Sequence, residues 1–182
     1  SIATGVAVKE KRVWDYLGEA GKKSIVVGVP QTYPIKPVEG CLISSFLTPS
    51  VQRQYTYPNE LRYEIDKVLG GKEYDVDVRK FRTDNKDFLL EQIYEMNNKQ
   101  YEVVRYLMDN KPWDFFMHVD MGVDRIHHGM WKYHDTTHPN FEPGNPYQNS
   151  IRDYYVHVDK QIGTLLERIP EETLIMVVSD HG

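Results

Sequence analysis

The sequence predicts an α/β domain built on a largely parallel sheet flanked by helices. Three short apolar runs carry the prediction: residues 24–29 (SIVVGV), 115–119 (FFMHV) and 174–178 (LIMVV). None alternates cleanly between polar and apolar, which is how strands covered on both faces read. A helical pattern precedes each run, and helix followed by strand, repeated, is the order of a parallel sheet with helical crossovers.

Taken in order, residues 11–20 carry Val13, Trp14 and Leu17 at helical spacing and stop before Gly21. Residues 86–109 repeat apolar side chains at Leu89, Leu90, Ile93, Met96, Val103, Val104 and Leu107, then end before Pro112. Residues 151–168 do likewise through Tyr155, Val158, Ile162, Leu165 and Leu166, before Pro170. Two stretches break the alternation. Residues 30–58 hold Pro30, Pro34, Pro37, Pro49 and Pro58 and predict an ordered excursion outside the sheet. Residues 136–149, with Pro139, Pro143, Gly144 and Pro146, predict a loop. Loops this long serve as lids or binding surfaces, or merely cap a sheet edge.

Composition narrows the function. With 182 residues, 40% hydrophobic and 27% charged, the chain can bury one ordinary core or form one lobe of something larger. A net charge of −5 disfavours binding to nucleic-acid polymers, whose phosphates attract basic surfaces. It leaves open a phosphate-bearing substrate held through metal ions. The single Cys41 permits no internal disulfide and no cysteine metal cluster, which points to a reducing, cytoplasmic compartment. No apolar stretch approaches the roughly 20 residues that cross a bilayer, and residues 1–14 lack the pattern of a signal peptide.

Chemistry concentrates at two carboxylate–imidazole pairs. In Met121–Trp131 (MGVDRIHHGMW), directly after FFMHV, Asp124 and His128 share a face if a helix begins near Asp124. Asp180 and His181 follow LIMVV in the same way, ahead of Gly182. Ligands of open parallel sheets bind beyond the carboxyl ends of the strands, so both pairs are expected at one edge. Carboxylate oxygen with neutral imidazole nitrogen suits zinc, manganese or a similar divalent ion. Taken singly, Asp-x-x-x-His also describes a helix cap or a solvated face, and Asp-His-Gly an ordinary turn.

The remaining candidates read as structural. His127 points roughly 100° away from His128 around a helix. His134 and His138 have helical spacing, but Thr136, Thr137 and Pro139 interrupt it and favour a loop role. His118, inside a strand, reads as a satisfied core residue, and His157, mid-helix beside Tyr154 and Tyr155, as structural. Trp14, Trp113 and Trp131 read as core. Arg125 is either a phosphate contact or the salt-bridge partner of its neighbour.

The segments WDFFMHVDMGVDRIHHGMW and YYVHVDKQIGTLLERIPEETLIMVVSDHG resemble the alkaline phosphatase superfamily, in particular its type I phosphodiesterase/nucleotide pyrophosphatase branch and the related predicted phosphohydrolase–phosphomutase proteins. VWDYLGEAGKKSIVVGVPQTYP and GCLISSFLTPS look like the stretch that family carries between its nucleophile and its second metal motif, so the resemblance covers nearly the whole chain. It implies two divalent ions, zinc or manganese, at the carboxyl edge of the sheet. Asp124 and His128 look like ligands of one ion, Asp180 and His181 of the other.

The same resemblance implies that residues 1–182 are the central portion of one catalytic domain. The nucleophile strand, with its Thr or Ser, and a further metal-binding His would then lie outside the chain. Thr4 does not stand in the strand-to-helix turn of the family's nucleophile. The implied activity is two-metal phosphoryl transfer on a small phosphate ester, with the isolated chain inactive. A phosphomutase of the same superfamily and a non-catalytic α/β binding domain are the alternatives. A sulfatase is disfavoured, because the surroundings of Cys41 (EGCLISS) do not match the motif of its modified residue.

Overall fold

A computed structural model describes residues 3–181; Ser1, Ile2 and Gly182, the last residue of the Asp-His-Gly motif, lie outside it. The described residues form an α/β fold. In chain order the elements are α1 (Val13–Glu19), β1 (Ser24–Val27), β2 (Gly40–Ile43), β3 (Thr56–Tyr57), α2 (Leu61–Val68), α3 (Lys86–Asn110), β4 (Phe115–His118), α4 (Met121–His134) and α5 (Ser150–Leu166). The four strands lie in the order β3-β2-β1-β4. β1 runs parallel to both β2 and β4, with Val26 level with Leu42 and Met117, and β3 is antiparallel to β2.

The central strand explains the layering. All four residues of β1 are buried, and alternation sends them to opposite faces. Ile25 and Val27, with Cys41 and Ile43 of β2, pack against Leu61 and Ile65 of α2 and Val103, Val104 and Leu107 of α3. Val26 and Leu42 pack on the other face against Trp14 of α1, with Phe115 and Met117 of β4 alongside. Each fully buried aliphatic side chain contributes about 1.5–3 kcal/mol relative to exposure. Gly40 lets β2 begin so close to β1, because a Cβ there would stand 2.0 Å from the Ser24 carbonyl oxygen.

A third cluster lies beyond the carboxyl end of β4. There Leu89, Ile93 and Met96 of α3 meet Met121, Ile126 and Met130 of α4 and Ile151, Tyr154 and Val158 of α5. Asn85 caps α3 by accepting from Phe88 N at 3.0 Å, and Asp120 caps α4 by accepting from Gly122 N at 2.9 Å. Residues 135–149 form the expected loop between α4 and α5.

Three expectations are corrected. Residues 30–58 do not stay outside the sheet: β2 and β3 lie within them, because the apolar GCLI segment finds a parallel partner in β1 that the surrounding prolines do not disturb. Residues 174–178 do not form a strand. Leu174, Met176 and Val177 are 84%, 74% and 88% exposed, and the run pairs with no strand although β4 is an edge strand of the sheet. An apolar run becomes a strand only where backbone partners and cover for its side chains are both supplied; here it follows the Pro170–Thr173 turn across the surface. Trp131 is not core either. It is 45% exposed on the outer face of α4. No described helix is long and apolar enough to cross a membrane.

Candidate active site

The site grows from the end of β4. After His118 the chain turns through Val119 and Asp120 and enters α4, which places Asp124 in that helix's first turn. Met121, Ile126 and Met130 face the core, so helical periodicity turns Asp124 and His128 outward together. His128 Nε2 lies 3.2 Å from Asp124 Oδ1. The imidazole is 65% exposed and the carboxylate 25%.

The second pair arrives at the same place without the strand expected to deliver it. His181 Nε2 lies 3.8 Å from that same Oδ1 of Asp124, and Asp180 Oδ1 lies 3.7 Å from His181 Nε2. Two imidazoles from segments far apart in sequence therefore face one carboxylate oxygen. Asp180 itself is 92% exposed. His181 thus joins Asp124 and His128 beyond the carboxyl end of β4, with Asp180 its neighbour in the chain.

The other oxygen of Asp124 is already engaged. Arg125 Nη1 donates to Asp124 Oδ2 at 2.9 Å. The guanidinium also grips Asp77 through Nε to Oδ1 at 2.8 Å and Nη2 to Oδ2 at 2.6 Å. Arg125 is therefore the salt-bridge partner of its neighbour. Asp77 was not foreseen, since it lies in an irregular segment with no motif around it.

The donor types fit a divalent cation, since carboxylate oxygen and imidazole nitrogen are ordinary zinc and manganese ligands. Among the described residues, no group of three or more His, Cys, Asp or Glu is arranged to hold an ion by itself. The meeting at Asp124 is thus a set of converging donors rather than a closed coordination shell.

Behind the site lies a buried polar network. Asp120 accepts from Asn97 Nδ2 at 2.9 Å and from the Tyr154 hydroxyl at 3.2 Å. Asn97 Oδ1 in turn faces His157 Nε2 at 3.0 Å. This gives His157 its structural role, and burial lowers its pKa. His118 is enclosed edge-on against Tyr101, with ring centroids 5.0 Å apart. Contrary to expectation, its ring nitrogens have no hydrogen-bond partner; burial lowers its pKa as well. His127 leans away from His128 toward Tyr155, whose hydroxyl lies 3.1 Å from its Nε2. His134 ends α4 facing the Gln148 carbonyl, and His138 accepts from Asn140 N within the loop.

Comparison with curated proteins and with solved structures gives no match. A family model does match, and it spans both carboxylate–imidazole pairs together with the sheet that positions them. Matching residues 3–182, it is that of type I phosphodiesterase / nucleotide pyrophosphatase, and the chain belongs to this family of hydrolases.

Proposed function

We propose that the protein takes part in hydrolysis of phosphodiester or pyrophosphate bonds in small molecules with two divalent ions, zinc or manganese. Asp124, His128, Asp180 and His181 are the ligands this chain supplies. The observation that carries the reading is the approach of His128 Nε2 and His181 Nε2 to one oxygen of Asp124, at 3.2 and 3.8 Å. Carboxylate oxygen and imidazole nitrogen brought to one point are the donors that a divalent cation takes. When bound, the ions would neutralise charge on the phosphoryl oxygens as the ester bond breaks.

The chain's own residues have separate tasks. Asp124 turns Oδ1 toward the site while Arg125 keeps Oδ2. His128 and His181 offer imidazole nitrogens, and their exposure leaves the edge open to a phosphate ester. Each Asp–His pair supplies two donors, fewer than the roughly three protein ligands of a catalytic zinc. We assign the missing ligands and the hydroxyl nucleophile to residues outside this 182-residue stretch.

The test is hydrolysis of bis(4-nitrophenyl) phosphate by the full protein, with and without added Mn²⁺ or Zn²⁺. Turnover should require the ion. It should fall in Asp124→Ala and His181→Ala by more than the roughly 10–100-fold that loss of a merely supporting group costs. Turnover that survives a chelator, or either substitution, would refute the reading.

A further inference from the structure

We infer that Asp77 and Arg125 act as a positioning device for Asp124, fixing which carboxylate oxygen is offered to the site and cancelling the charge that would otherwise oppose a cation. The inference rests on Asp124 being a ligand, as proposed above.

Three N–H groups of Arg125 are committed to carboxylates, two to Asp77 and one to Asp124. The two contacts to Asp77 are parallel and bidentate, the geometry that holds a guanidinium plane most firmly. Aromatic rings fix it further: Cζ of Arg125 lies 5.5 Å from the Phe46 centroid and 5.3 Å from that of Phe81. Phe46 follows β2, while Asp77 and Phe81 lie between α2 and α3. The guanidinium is therefore held from two loops that are remote in sequence from α4, and its side chain is only 17% exposed. Nothing in this arrangement turns it toward an incoming phosphate.

The consequence falls on Asp124. With Oδ2 held by Arg125, the carboxylate cannot turn about its Cβ–Cγ bond, and Oδ1 stays aimed at His128 and His181. Arg125 alone would set a positive charge beside a cation site, which is unfavourable at such short range. Asp77 supplies the balancing negative charge, so Asp124 faces the site with its own charge effectively intact. Groups that orient a ligand in this way typically set metal affinity within about 10–100-fold.

The experiment pairs crystal structures of wild type, Asp77→Asn and Arg125→Lys with Mn²⁺ titrations of the same proteins. Asp77→Asn keeps the side-chain shape but loses the charge. Arg125→Lys keeps the charge but cannot bridge two carboxylates. Asp124 should leave its wild-type orientation in both variants, and Mn²⁺ affinity should fall roughly 10–100-fold, more in Asp77→Asn than in Arg125→Lys. Circular dichroism should remain that of the wild type. An Asp124 carboxylate unmoved in both crystals, with affinity within about threefold of wild type, overturns the inference. If wild type takes up no Mn²⁺, the metal reading fails, and the carboxylate orientations alone decide this one. If Asp77→Asn does not fold, Arg125→Lys decides.

Discussion

Asp124 and Asp180 stand at the same end of the molecule in opposite surroundings. Asp124 is 25% exposed, rooted on a helix whose inner face is core, and clamped through Arg125 to Asp77. Asp180 is 92% exposed and follows five apolar residues that are themselves uncovered. The difference separates two ways in which sequence sets a functional group. At α4 the placement is local, because helical period and a buried stripe turn Asp124 and His128 outward whatever lies beyond them. At residues 174–181 it is non-local, because the same side chains need a neighbouring strand to give the segment a fixed path.

Substitutions can break this contrast or sharpen it. The largest effect should come from Ile126→Ala, which empties a fully buried position directly behind Asp124. It should cost about 2–5 kcal/mol in denaturant unfolding. Asp120→Ala should follow at about 1–3 kcal/mol, because it strips a hydrogen-bond acceptor from Asn97, Tyr154 and Gly122 N. If either substitution were silent, the packed half of the site would not be packed as described.

Acid gives a smaller effect. Burial holds His118 and His157 below the ordinary value of 6.5. Between their folded-state values and 6.5 the unfolded chain therefore binds more protons. Stability should be at its full level above that range and fall as pH drops through it. Denaturation midpoints measured across the range should show the fall, and it should be shallower in His157→Gln. An unchanged slope would remove His157 from the account. The smallest effect belongs to the other half of the comparison. Val177→Asp, at a position 88% exposed, should change unfolding stability by less than about 0.5 kcal/mol. A large loss would mean that the apolar run is covered after all.

The same contrast explains what could be read in advance. α3 and α5 were legible within a few residues from apolar side chains at helical spacing, but the buried stripe of α5 is Ile151, Tyr154 and Val158, while Tyr155, Ile162 and Leu166, on which its reading leaned, are exposed. β1 and β4 were legible as dense apolar runs. β2 was hidden among prolines, since four residues of GCLI carry too little pattern to reveal a partner. LIMVV misled for the opposite reason: composition can describe a good strand without supplying anything for it to pair with. In the site, Asp124 and His128 were visible as a motif. The Asp77–Arg125 grip was not, because a tertiary ion pair between a loop and a helix has no period.

At the centre stands the proposed role of Asp124 as one ligand of a cation. The most direct measurement is Mn²⁺ affinity of wild type against Asp124→Ala, with Asp135→Ala as the control. Asp135 follows the far end of α4, and its carboxylate accepts from Thr137 and Trp131. The account predicts measurable binding by wild type and by Asp135→Ala, and a loss exceeding roughly 100-fold in Asp124→Ala. Equal affinity in all three proteins would contradict it.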